Sequence, residues 1–312
     1  MPENQNHANL GDKIAFVSSA DKNYFPLLIE WVASLQRFHA LADHDICIFD
    51  AGLELQQCEK LEQMGCKIIE PDWPCKISSW KIRGRNYLKS CVCRPFIPKI
   101  FPGYDLYIWL DCDTWLQTEE AIDLLIRGAN KNALAIAPQV DRNMQRMMRV
   151  SWLGPFVKKI RSFYYSNARR AFSRKIAREL CARPLLNAGV FALRADAPHW
   201  EAWQELITKA LKKGRVFTAE QLSLGVLVYL KGYKVELLPS WCNWLCEIIP
   251  HWSEEEETFV EPSLPHHPIS VLHLCGLDDM RRNRSITEDV ITTTGETVNK
   301  TLRYPHLNGE KA

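Results

Sequence analysis

The chain has 312 residues, 46% of them hydrophobic and 24% charged, which is ordinary globular composition with ample core material for one large α/β domain or two small ones. Its formal net charge is +2, so no overall bias selects a partner, although the charge is unevenly spread. No stretch approaches the length of a transmembrane helix, and the N-terminus MPENQNHANLGDK is polar and lacks an apolar signal region. Eleven cysteines are scattered without paired metal-type spacing: Cys91-x-Cys93 and Cys242-x-x-x-Cys246 do not fit a zinc knuckle. Free thiols without a signal peptide predict a cytoplasmic protein. Asn283-Arg-Ser and Asn299-Lys-Thr are then sequons by spelling only.

Taken in order, Lys13 to Ser19 predicts a strand that runs into a polar turn. Asn23 offers a helix cap, with Pro26 in the first turn and an apolar stripe at Phe25, Leu28, Val32 and Leu35. His44 to Asp50 predicts a second strand, Glu54 to Met64 a helix, and Cys66 to Glu70 a third strand. Strands alternating with helices imply a mostly parallel sheet with right-handed crossovers. Pro71 to Arg85 is expected to be a long loop, followed by a helix from Tyr87 to Phe101 that carries Arg94.

DLYIWLDCDTWL, from Asp105 to Leu116, is the stretch around which the rest is arranged. The apolar run Leu106 to Leu110 predicts a buried central strand, and it ends in Asp111 and Asp113. An open α/β sheet binds ligands just outside the carboxyl ends of its strands. Two carboxylates that close repel each other unless a cation shares them, and a hard divalent ion suits oxygen ligands. A plain turn or helix cap would use the same residues.

Thr118 is expected to cap the next helix, and Ala133 to Ala137 predicts another strand. Arg142 to Arg183 then holds twelve Arg or Lys and one acid, Glu179. Phe156, Ile160, Phe163, Phe172, Ile176 and Leu180 recur at helical spacing, so a basic helical insertion is expected at about 142–183. One-signed charge above an apolar stripe is the pattern of helices lying on anionic membranes. The competing reading packs the stripe on the domain and leaves the charges for an anionic soluble acceptor. Nucleic acid is not expected, because no recognition motif accompanies the charge.

Pro184 to Arg194 predicts a strand interrupted by Asn187-Ala-Gly189, where glycine marks close approach of a ligand or backbone. Asp196 is placed as cap of a helix bearing Trp200, Trp203, Leu206 and Ile207. Thr218 begins another, Ala219 to Leu230, with Glu220 and Gln221 in its first turn. Lys234 to Leu238 is a strand, followed by a Trp-rich loop (Trp241, Trp244, Trp252) and the acidic run Glu254 to Glu257. Ile269 to Gly276 is the last strand, and a polar tail with Arg281, Arg282 and Arg284 starts at about 278. Residues 1–312 therefore read as one domain with insertions.

In this order Arg94, Asp111-x-Asp113, Asn187-Ala-Gly189, Glu220-Gln221 and His273-x-x-Gly276 resemble glycosyltransferase family 8, from about Lys13 to Gly276. The family contains retaining enzymes such as glycogenin and bacterial lipooligosaccharide galactosyltransferases. The resemblance implies a GT-A, Rossmann-like α/β fold with a mostly parallel central sheet flanked by helices. It implies that Asp111, Asp113 and His273 bind Mn²⁺ or Mg²⁺ bridging the diphosphate of a nucleotide sugar, a UDP-sugar. Mixed oxygen and nitrogen ligands suit Mn²⁺ better. Ser18, Ala20, Asp21 and Tyr24 fall where the family holds nucleobase and ribose. Arg94, Cys112, Gly189 and Gly276 fall on its donor site, and Asn187, Glu220 and Gln221 on its catalytic positions. The acceptor is then a glycan or a lipid-linked glycan, met in the cytoplasm or at the inner face of a membrane.

The chain departs from the family at Asp279, where a diphosphate-binding lysine belongs, and Arg281, Arg282 and Arg284 are candidates to replace it. Glu220 stands where the family has Asp. Bland readings remain beside each role: His273 as a core residue, Gln221 as part of a capping box with Thr218, Asn187-Ala-Gly189 as a bulge. The competing functions are a nucleotidyltransferase, against which no Gly-rich phosphate loop follows the first strand, and a non-catalytic sugar-nucleotide-binding protein.

Overall fold

The computed structural model describes residues 11–145 and 148–306. Its centre is a seven-stranded sheet built from β1 (Ile14–Ala20), β2 (Asp45–Asp50), β3 (Lys67–Ile69), β4 (Leu106–Leu110), β6 (Leu134–Pro138), β9 (Leu186–Arg194) and β10 (Val235–Leu237), in the order β10-β6-β9-β4-β1-β2-β3. All neighbours are parallel except the two pairs made by β9, which runs antiparallel to both β4 and β6. Between them β5 (Thr114–Leu116) leaves the sheet to pair elsewhere, and β7 (Arg149–Leu153) with β8 (Phe156–Arg161) forms a separate hairpin.

β4 is apolar throughout because both faces of the sheet are covered. Leu106, Ile108 and Leu110 enter one core and Tyr107 and Trp109 the other, the period-2 alternation of a strand. Helices Phe25–Gln36 and Glu120–Ala129 pack on the first face. His199–Lys213 and Val216–Tyr229 pack on the second. Each large side chain buried this way contributes about 1.5–3 kcal/mol.

A second, three-stranded sheet crosses the carboxyl end of β4. In it β11 (Trp244–Leu245) lies parallel to β14 (Val271–His273), and β14 lies antiparallel to β5. Its register sets Thr114 opposite His273. Two further hairpins complete the strands among the described residues: β12 (His251–Ser253) with β13 (Thr258–Val260), and β15 (Glu288–Ile291) with β16 (Thr297–Lys300).

Several expectations need correction. Helix Glu120–Ala129 is not capped by Thr118; Ser270, from beside β14, accepts from Ala121 N at 2.9 Å instead. Asp196 is exposed and does not cap His199–Lys213, which starts after Pro198. Helix Val216–Tyr229 begins two residues before Thr218, so Thr218 and Gln221 form no capping box. The basic insertion is helical only from Phe163–Ala171 and Arg174–Leu180 onward; its first part is the β7–β8 hairpin. The polar tail is packed: Val290, Leu302 and Tyr304 are buried, and Arg303 bonds Glu30 of the first helix at 2.6 and 2.7 Å. The segment from Tyr87 to Phe101 breaks into short turns at Pro95 and Pro98 rather than forming one helix.

Candidate active site

The chain leaves β4 between two distant partners. Asp111 N donates to Gly189 O of β9 at 2.7 Å, and Asp113 O accepts from Leu274 N beyond β14 at 2.9 Å. These backbone bonds bring the two carboxylates against His273. A carboxylate oxygen from Asp111, one from Asp113 and an imidazole nitrogen of His273 all lie within 4.8 Å of one another. His273 Nε2 is 3.4 Å from Asp113 Oδ1 and 4.0 Å from Asp111 Oδ2.

The other ring nitrogen is spoken for. His273 Nδ1 lies 2.9 Å from Asn243 Oδ1, an acceptor, so the ring is held with Nδ1 toward Asn243 and Nε2 toward the acids. Asn243 was not singled out by the sequence; a lone Asn in a Trp-rich loop carries no signal of its own.

Glycine is required at 189. A Cβ there would lie 2.5 Å from His273 Cε1, 2.8 Å from Asn187 Oδ1 and 2.9 Å from Asp111 Oδ2. Asn187 Oδ1 accepts from Gly189 N at 2.7 Å, which fixes the local backbone beneath the cluster. Gly276, at φ +86°, makes the turn after β14, and a Cβ there would meet Glu247 Cβ at 2.9 Å.

Two arginines neutralise the acids. Arg94 Nη1 donates to both carboxylate oxygens of Glu220 at 2.8 Å, and its Nη2 bonds Asp111. The guanidinium sits 4.6 Å over the Trp109 ring, while Trp109 Nε1 donates to Asp111 Oδ1 at 2.9 Å. From the tail helix Asp278–Arg282, Arg281 donates to Asp113 Oδ2 at 2.7 Å and also bonds Asp278. Of the three candidate arginines only Arg281 reaches the cluster. Arg282 is three-quarters exposed, and Arg284 bonds Glu30 and Tyr304 O.

Burial pushes both carboxyls up. At Asp111 burial prevails over Arg94, so that group is raised; at Asp113 burial is outweighed by His273 and Arg281, and that group is held below its usual range. Burial would lower His273, but Asp113 raises it. Glu220, desolvated on helix Val216–Tyr229, is raised to about 7 despite Arg94. A pair of close carboxylates whose charge must be supplied by neighbours is the electrostatic setting that a divalent cation fits, and two hard oxygens plus one imidazole are a suitable donor set.

The remaining candidates sit at the end of β1. Ser18 is fully buried and its hydroxyl donates to Leu110 O at 2.7 Å, so it is committed to joining β1 to β4. Asp21 Oδ1 accepts from Asn23 N at 3.0 Å and Tyr24 N at 3.1 Å, forming the turn before the first helix. Tyr24 lies at the surface with Arg281 5.8 Å over its ring, which places the β1 turn beside the cluster. Ala20 and Cys112 are buried. Gln221 is half-buried, next to the immobilised Glu220. A shallow cleft lined by Pro138, Asp141, Asn187, Ser240, Asn243 and Trp244 among others opens next to the cluster.

No curated protein matches the sequence at a significant level. Among solved structures, the galactosyltransferase LgtC in complex with donor and acceptor sugar analogues is similar with a TM-score of 0.50 at 14% identity, covering 84% of this chain and 87% of that one. The bifunctional glycosyltransferase WbbM is similar with a TM-score of 0.50 at 15% identity, over 75% of this chain. This chain spans only 40% of the length of WbbM. These likenesses show a GT-A-type fold. Residues 15–276 match the family described as Glycosyl transferase family 8, a span running from β1 to the glycine that closes the site. The protein therefore belongs to glycosyltransferase family 8, and it is a glycosyltransferase.

Proposed function

We propose that the protein transfers a hexosyl unit from a UDP-sugar to a glycan or lipid-linked acceptor, with retention of configuration and with Mn²⁺ or Mg²⁺ held by Asp111, Asp113 and His273. The observation that carries this reading is the convergence of those three side chains at the carboxyl end of β4. When bound, the ion supplies Lewis-acid neutralisation of the charge that grows on the leaving diphosphate.

The chain's own groups would do the rest. Arg281 brings the positive charge that the family's lysine would have brought, from two positions beyond Asp279, and its guanidinium favours a diphosphate oxygen. The β1 turn at Ala20, Asp21 and Tyr24 would face the nucleoside. Glu220 has both oxygens bound by Arg94, so it is not free to act as a nucleophile. That favours front-face transfer: the sugar–phosphate bond breaks, the acceptor oxygen bonds to the same face of the anomeric carbon, and the acceptor proton passes to the departing phosphate. Gln221, held beside Glu220, would lie near the anomeric carbon. The cleft lined by Asn187, Ser240 and Trp244 would receive the acceptor. Eleven unpaired thiols support a cytoplasmic setting.

The test is UDP release from a panel of UDP-sugars with and without Mn²⁺, using wild type and Asp113→Asn. Metal-dependent release from one sugar, abolished in a folded Asp113→Asn protein, is expected. Equal turnover by the variant would sink the site assignment. Product anomer, read by NMR, tests retention.

A further inference from the structure

Among the described residues, the β7–β8 hairpin carries a run of exposed apolar side chains at its tip. Trp152, Leu153 and Phe156 at its tip are 63%, 65% and 73% exposed, and Val157 beside them is exposed as well. The tip is the turn Trp-Leu-Gly-Pro-Phe, with Gly154 at φ +56°. An isolated two-stranded hairpin is marginal in water, and a tip so apolar is normally covered by something.

Its charge pattern says by what. The register pairs Arg149 with Arg161 and Ser151 with Lys159 before reaching Leu153 and Phe156 at the tip. Arg149, Lys158, Lys159 and Arg161 are all exposed. The hairpin thus presents a cationic stem behind an aromatic and aliphatic tip, with no acid between Arg142 and Arg178 to oppose it. Tryptophan prefers the headgroup level of a bilayer, and basic side chains prefer anionic headgroups.

The two helices that follow are not available for this. Tyr164, Ala168, Ala171, Ala177 and Leu180 are buried in the second core, so their apolar stripe faces the protein. Among the described residues no helix is long and apolar enough to cross a membrane.

We infer that the β7–β8 hairpin docks the enzyme on anionic lipid, with Trp152, Leu153 and Phe156 inserted at headgroup depth and the basic stem on the lipid charges. The cleft wall at Asp141, Asn143 and Met144 lies a few residues before this hairpin in the chain, and docking would favour an acceptor that is itself lipid-linked. That last step rests on the transferase reading; the docking does not.

Flotation of the full chain with phosphatidylcholine vesicles, alone or mixed with phosphatidylglycerol, decides it. Binding should require phosphatidylglycerol and weaken with salt. Trp152→Ser with Phe156→Ser should lower it by on the order of tenfold or more, and Lys158→Gln with Lys159→Gln by a similar factor, since one basic residue is worth about fivefold. UDP release from the donor should be unchanged in both variants, which separates a docking failure from a failure of the transferase assignment. Equal binding to neutral vesicles, no binding to either kind, or wild-type binding by the tip variant would overturn the proposal. So would light scattering that shows the tip joining two copies without lipid.

Discussion

His273 is held by Asn243, the residue just before β11, Nδ1 to Oδ1 at 2.9 Å, and this single bond decides which ring nitrogen faces the carboxylates. Asn243→Leu removes the acceptor while filling similar volume. It is expected to weaken Mn²⁺ binding by about 10–100-fold with the fold retained. Asn243→Asp keeps the acceptor and should retain most of the affinity. Calorimetric titration with Mn²⁺ reads both; unchanged affinity in Asn243→Leu would show that the ring orientation is set elsewhere.

Gly189→Ala should damage the site and the fold together. The new methyl would press on His273 Cε1 at 2.5 Å and on Asp111 Oδ2 at 2.9 Å. Overpacking of this kind costs about 1–3 kcal/mol. Thermal denaturation should show that loss, and metal titration should show weaker binding than the stability change alone explains.

The three tail arginines should separate cleanly. Arg281→Ala is expected to lower kcat/KM for the donor by about 10–100-fold, the scale of a lost hydrogen bond to a charged group. Arg281→Lys should recover part of it, whereas Arg282→Ala should be silent because that side chain points into water. Arg284→Ala should lower stability rather than activity, since it removes a partner of the buried Glu30. Steady-state kinetics beside denaturant midpoints distinguish the two classes of effect.

Glu220 gives a pH-dependent prediction. Desolvation raises its folded pKa to about 7, above its ordinary value of 4.5. Between those values the unfolded chain binds fewer protons than the folded one, so this group's contribution to stability falls as pH rises from about 4.5 to 7. Glu220→Gln has no such titration. The stability of wild type relative to Glu220→Gln should therefore decline across that window, as read by denaturant titrations at several pH values. A difference that grows with pH would reverse the assignment.

The strands of the main sheet were legible because period-2 and unbroken apolar runs are local signals, and Asp111 and Asp113 announced themselves by following one. His273 and Gly189 could be placed only by family order, since the spacing of two residues on remote strands carries no local pattern. Thr118, Asp196 and Thr218 look like helix caps in sequence, yet none of them caps its helix. A side-chain cap is one option among several, and Ser270 supplied one from 149 residues away in sequence. The hairpin imitates a helix in sequence because Phe156 and Ile160 fit a helical spacing, while Gly154 and Pro155 between the strands are the better guide. Asn243 and the tail latch Arg303–Glu30 had no signal short of the tertiary structure.

The second sheet has a temporal consequence. Asp113 and its partner Arg281 are 168 residues apart, and β5 finds its neighbour β14 only after most of the chain has been made. Synthesis proceeds at about 5–20 residues per second and folds N-terminal units first. While it emerges from the ribosome, the nascent chain can already carry β1, β2, β3 and β4 with their helices. It cannot yet present a complete ligand set to a metal or a nucleotide. Donor binding should therefore appear abruptly in arrested-chain experiments, when the arrest point lets Gly276 and Arg281 clear the exit tunnel, which makes the ligand a reporter of the moment β14 joins β5.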